Sequence, residues 1–260
     1  MPKAWPLCCA RNGTLPTVWI APGAVRDARE LPRTRMALSK MRTALKNRLH
    51  ATLVKYNRRL STDSDIFAPK WRAELEQANQ GLPVETHYCM QEELALLDQL
   101  QAHIKQLEKR ILERIRITAT MRLLKTLPGV GNILSIVIDS EIGSVDRFPD
   151  GEHLASYAGT VPTVQGSGGK FRYGRLPKQC NHYLKWAFAE GANVVSRYRH
   201  HPRWRKKHVS RLYTRIRRRK GHSIAVGAVA RHLAEAAFWM LKKDEPYQDP
   251  ALRTVLPKPG

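Results

Sequence analysis

Apolar residues recur at steps of three and four through most of this 260-residue chain, and that period restricts it to helices packed on helices. Leu38, Met41, Leu45, Leu49 and Leu53 form one stripe of a helix predicted from about residue 25 to residue 57. Leu97, Leu100, Ile104, Leu107 and Ile111 follow a coiled-coil heptad on a helix expected over residues 87–118. Such a face needs another helix against it, either from a second subunit, which makes a homo-oligomer, or from the same chain folded back. Beyond Asn181, the residues Leu184, Ala187, Phe188, Ala192 and Val195 share a face. Val209, Leu212 and Ile216 turn inward from a second helix, and Val226, Val229, Leu233, Ala237 and Met240 from a third. The expected fold is therefore mainly α. Leu15 to Ala21 (LPTVWIA) is a short β-prone run. The domains expected are residues 1–60, a linker at 61–86, the heptad helix at 87–118, a compact helical domain at 119–242 and a loosely ordered tail at 243–260.

Charge limits the partner. The formal net charge is +23, and between Glu152 and Glu235 the only carboxylate, Glu190, faces eighteen Lys and Arg. A field of that sign and density binds DNA or RNA by releasing counterions. Arg197 to Lys220 (RYRHHPRWRKKHVSRLYTRIRRRK) interleaves twelve cations with Tyr198, Trp204 and Tyr213. Arginine forks grip phosphates, and the aromatics are candidates for stacking on bases. Candidate nucleic-acid contacts are Arg203, Lys206, Lys207, Arg215, Arg217, Arg218, Arg219 and Lys220 there, with Arg42, Lys46 and Arg48 on the N-terminal helix. An ordinary solvated surface is the alternative for that helix. The sequence has no run of eighteen apolar residues and no recognisable signal peptide, so the protein is expected in the cytoplasm, away from membranes. Cys8, Cys9, Cys89 and Cys180 have no zinc-ligand spacing, and no metal site is assigned.

The segment YAGTVPTVQGSGGKFRYGRLPKQCNHYLKW, from Tyr157 to Trp186, holds Ser167 among Gly166, Gly168 and Gly169, adds Lys170, Arg172, Arg175 and Lys178, and contains no carboxylate. Glycines let a phosphate approach the backbone, and the cations suit an anion. A flexible turn with a solvated basic flank fits the same residues. TLPGVG, from Thr126 to Gly131, breaks two helical patterns. Backbone N–H groups around Gly129 and Gly131 at the start of the second helix could hold a DNA phosphate as helix-hairpin-helix elements do, and a plain turn fits equally.

These features, in this order, resemble the transposases of the insertion sequence 110 family, relatives of insertion sequences 116 and 902. The resemblance covers nearly the whole chain. TVWIAPGAVRDARELPRTRMALSKMRTALKNRLHATLVKY is similar to the end of the family's α/β RuvC-like domain, a remnant strand and basic exit helix. LKTLPGVGNILSIVIDSEIGSVDRF and ASYAGTVPTVQGSGGKFRYGRLPKQCNHYLKWAFAEGAN are similar to its C-terminal transposase domain, and the coiled coil lies where the family places one.

The resemblance implies a DNA recombinase in which Ser167 attacks a phosphodiester and forms a covalent protein–DNA link. It also implies a carboxylate cluster holding Mg²⁺ and a structured noncoding RNA that pairs with donor and target DNA. Lys170, Arg172, Arg175 and Lys178 are candidates to stabilise the crowded phosphorane. Asn181 would orient a phosphate or cap the next helix. In the family the acidic metal ligands lie upstream of the region that begins here with PLCCARNGTLPTVW, so no positions of this sequence carry them, and an N-terminally truncated chain is expected. The alternative is an inactive copy that only binds nucleic acid. Asp139 and Glu141 would be a rival metal pair, but residues two apart on a helix diverge in direction.

Overall fold

A computed structural model describes residues 19–62, 65–168 and 170–250. The chain is mainly α. Of the β-prone run, residues 15–18 lie outside the described residues, and residues 19–22 are irregular backbone leading into the first helix.

Helix α1 (Gly23–Lys55) and helix α3 (Val84–Arg114) form an antiparallel pair, with the short α2 (Arg72–Gln80) packed against α3. Ion pairs between Arg35 and Glu108 at one end and between Arg48 and Glu93 at the other fix the direction. Leu49 and Leu53 of α1 meet Leu75, Leu82, Met90, Leu94 and Leu97 in a core of their own. The heptad face therefore finds its partner inside the chain. Leu97, Ile104 and Ile111 are buried, whereas Leu100 and Leu107 are half-buried. The α1 stripe is read less well, because Met41 is exposed while Arg29, Pro32 and Met36 are buried.

The remaining helices are α4 (Ala119–Leu124), α5 (Asn132–Ile142), α6 (Gly151–Tyr157), α7 (His182–Tyr198), α8 (Pro202–Arg205), α9 (His208–Lys220) and α10 (His222–Lys243). They enclose a second core that takes in Leu184, Ala187, Phe188, Ala192 and Val195 of α7, all fully buried, with Val229, Leu233, Ala237 and Met240 of α10. By length and composition α10 is apolar enough to cross a membrane, and here it packs against α4, α6, α7 and α9 as the central helix of that core. A small cluster of Ile111, Met121 and Ile136, joined by Leu31 and Ile133, seals the helical hairpin to this domain.

Two local features depart from the sequence reading. Tyr213, grouped above with aromatics free to stack on bases, is buried, and its hydroxyl shares a 2.7 Å hydrogen bond with His222 Nδ1. The tail does not leave the surface after α10. Tyr247 packs on the core and its N–H donates to Thr126 Oγ1, while the Asp249 carboxylate accepts from the His208 N–H at the start of α9. Residues 251–260 lie outside the described residues.

Candidate functional site

Between α6 and α7 the chain leaves the helical body as a two-stranded antiparallel ribbon, β1 (Val164–Ser167) and β2 (Lys170–Tyr173). Gly168 turns the tip with φ +56°, a left-handed conformation that side chains disfavour. Ser167 and Lys170 face each other across the last pair of the ladder. Strand alternation assigns positions 165, 167, 170 and 172 to one face of the ribbon and positions 164, 166, 171 and 173 to the other. Arg172, Arg175 and Lys178 are exposed, and none has a carboxylate partner among the described residues.

The base of the ribbon is clamped. The Asn181 N–H donates to the Tyr157 carbonyl at 2.8 Å, which draws the two stems together. Cys180 packs so closely on Gly159 (φ +66°) that a Cβ there would lie 2.4 Å from its sulfur. Asn181 also caps α7, its Oδ1 accepting from the N–H groups of Tyr183 and Leu184 at 3.0 Å each. Its Nδ2 donates to Glu141 Oε2 at 3.0 Å and to the Tyr157 hydroxyl at 3.2 Å. With both ends of its amide engaged, Asn181 is a cap and brace.

Glu141, only 1 % exposed at the end of α5, joins this clamp to the N-terminal helix. Arg33 grips it with two parallel bonds, Nε to Oε1 at 2.7 Å and Nη2 to Oε2 at 2.9 Å, and its guanidinium lies 4.4 Å from the centre of the Tyr183 ring. That hydrogen bonding holds the Arg33 pKa above its ordinary value. Arg29 is buried alongside, donating to the Ser140 and Glu141 carbonyls, and desolvation lowers its pKa. No local pattern signals the roles of Arg33 and Tyr157 here, because the contacts bridge up to 108 residues.

Asp139, two residues earlier on α5, has no hydrogen-bond or ion-pair partner for its carboxyl among the described residues, and burial pushes it up to about 6. Mg²⁺ prefers several open carboxylate or water oxygens. The described residues do not fit it: Glu141 is committed to Arg33 and Asn181, and no three His, Cys, Asp or Glu side chains gather among them.

The predicted nucleic-acid contacts separate into groups. Arg203, Lys206, Arg215, Arg217, Arg218, Arg219 and Lys220 are exposed, Lys207 is half-buried, and none makes a salt bridge among the described residues. Lys46 is instead paired with Asp65 at 2.9 Å and Arg48 with Glu93. Arg42 lines a groove of about 580 Å³ between α1 and α7, opposite Trp186 and Glu190. Gly129, with φ +86°, lets the α4–α5 turn touch α7, since a Cβ would lie 2.2 Å from the Gly191 oxygen. Gly131 precedes α5, whose first N–H groups have no side-chain cap, and faces a groove of about 700 Å³ that Lys125, Trp204 and Lys207 also line.

Most of this architecture, from Met121 to Val209, coincides with the match to a family model described as Transposase IS116/IS110/IS902 family, residues 121–209. Residues 121–209 are therefore similar to the domain that this transposase family shares. The matched segment contains the α4–α5 turn, the base of the clamp and the ribbon. A probable family 20 transposase of Pseudomonas aeruginosa is 28% identical over 167 residues, covering 64% of this chain and 49% of its own length. The mini-circle putative transposase for IS117 of Streptomyces coelicolor is 36% identical over 125 residues, 43% of this chain and 30% of the relative. The IS110 uncharacterized 43.6 kDa protein of the same organism is 31% identical over 127 residues, 48% of this chain and 29% of its own length. The chain thus spans half or less of the length of these relatives.

Proposed function

We propose that the protein acts in transposition of an insertion sequence, binding DNA and cutting and rejoining it through Ser167. The observation that carries this reading is the ribbon itself: a glycine-turned tip with Ser167 paired to Lys170, braced at its base, in a stretch with no carboxylate. In the proposed step the serine oxygen forms a bond to phosphorus while one bridging P–O bond breaks. The hydroxyl proton passes to a base and the departing oxygen ends as a free DNA hydroxyl. The phosphoester to the protein conserves the broken bond, so attack by another DNA hydroxyl rejoins a strand and releases the serine. Arg172, Arg175 and Lys178 supply the positive charge that a pentacoordinate phosphorane requires.

The unpaired cations of residues 203–220 supply the grip on the phosphate backbone. We extend the reading to a structured noncoding RNA as a second polyanion, on the basis of the resemblance to the insertion sequence 110 transposases. Incubation with end-labelled DNA from a cognate element, followed by a denaturing gel, tests the nucleophile. A protease-sensitive adduct is expected from the wild-type protein and none from Ser167→Ala. Equal adduct from both removes Ser167 from the role. A binding-only protein is the second reading, favoured by the absence of a Mg²⁺-competent cluster among the described residues. It predicts salt-dependent retention of DNA with no adduct from either form.

A further inference from the structure

Chemistry at Ser167 accounts for one face of the ribbon only. The other face carries Val164 opposite Tyr173 and Gly166 opposite Phe171. Phe171 is 73 % exposed, Tyr173 74 % and Val164 52 %. Gly166 has no side chain to separate the rings from the strand, and the Phe171 ring lies across it, 3.1 Å from where a Cβ would stand. Two aromatic rings sit at neighbouring same-face positions of a narrow ribbon, with nothing of the described chain covering them.

We infer that this face is a stacking platform for unpaired nucleobases, so that the ribbon enters an opened stretch of DNA with phosphate on its Ser167 face and bases on its aromatic face. The occupant follows from charge. Arg172, between the two aromatics in sequence and on the opposite face of the ribbon, and Arg175 and Lys178, which follow them along the chain, are all exposed and without ion pairs among the described residues, and the segment from Tyr157 to Trp186 includes no acid. A second copy of the ribbon would bring the same positive charge against this one, whereas a nucleic-acid strand neutralises it. A rigid aromatic side chain is tolerant of base identity because every base has a π-face, so the platform gives preference for unpaired over paired DNA rather than for a sequence.

The inference rests on the DNA reading above and is separable from it. The full chain is titrated against a fluorescently labelled 30-base-pair duplex and against the same duplex with a central four-base bubble carrying 2-aminopurine. The wild-type protein should prefer the bubble and change the 2-aminopurine emission on binding. Phe171→Ala and Tyr173→Ala should each weaken bubble binding about tenfold, with duplex affinity unchanged, and Tyr173→Phe should retain both. Equal affinity of the wild type for bubble and duplex overturns the platform while leaving DNA binding standing. A wild-type protein that binds neither probe overturns the DNA reading as well. A wild-type dimer in sedimentation that the double alanine variant converts to monomer overturns the platform in favour of a self-association face.

Discussion

Helices α1 and α9 are both rich in Lys and Arg, and they use that charge in opposite ways. On α1 four of the cations are matched by carboxylates of the same chain: Arg33 by Glu141, Arg35 by Glu108, Lys46 by Asp65 and Arg48 by Glu93. On α9 the run Arg215, Arg217, Arg218, Arg219 and Lys220 has no such partner among the described residues: Glu190 of the adjacent α7 makes no ion pair with it, and Glu235 of α10 pairs with Arg231. The difference separates charge that builds the protein from charge left for a ligand. A count of basic residues does not distinguish them; the identity of the neighbouring helix does.

Nucleic-acid binding should separate the two helices most. Replacing Arg217, Arg218 and Arg219 together by Ala should weaken duplex binding by roughly a hundredfold or more at moderate salt, and flatten the log affinity against log salt plot by about two to three units. Lys46→Ala with Arg48→Ala should leave that slope unchanged. Anisotropy titrations over a salt series decide, and equal losses from the two helices break the contrast.

In stability the ordering should reverse. Arg33→Met leaves the Glu141 carboxylate buried without its main partner and should cost about 3 kcal/mol in urea unfolding. The triple α9 variant should stay within about 1 kcal/mol of wild type, since it removes only exposed, mutually repelling charge.

Asp139 sharpens the contrast within α5, two residues from Glu141. Its folded-state carboxyl titrates at about 6 against 3.8 in the unfolded chain. The native state therefore holds its proton more tightly, and stability falls as pH rises from about 4 to about 6, then levels. Asp139→Asn should stabilise by about 2 kcal/mol at pH 8 and make little difference at pH 3.5. Paired melts at the two pH values check it; a pH-independent gain means the carboxyl is not desolvated. Smallest of all should be Lys46→Ala, worth less than about 1 kcal/mol because its Asp65 partner is more than half exposed, so salt should erase what effect it has.

What could be read ahead of the structure was whatever repeats locally. Leu184, Ala187, Phe188, Ala192 and Val195 lie on one face by helical geometry alone, and all five are fully buried. The same rule misled at Met41, which is exposed although α3 runs alongside this stretch of α1, and at Tyr213, whose basic neighbours concealed its place in the core. Ser167 was legible as a position among glycines, but that Lys170 pairs with it came from the ribbon register. The heptad of α3 announced a helix partner without saying whose, and α1 of the same chain takes that place through Leu49 and Leu53.

The mainly α fold, the two apolar helical faces that needed covering and the excess of positive charge depend on residue type and a period of a few residues, and are legible without coordinates. Which charges lack a partner and how the ribbon is held depend on long-range packing. Arg33, Glu141, Tyr157 and Asn181 are scattered along the chain and meet in one clamp. A hydrogen bond requires two groups within about 3 Å, and long-range folding, not local spacing, sets that separation.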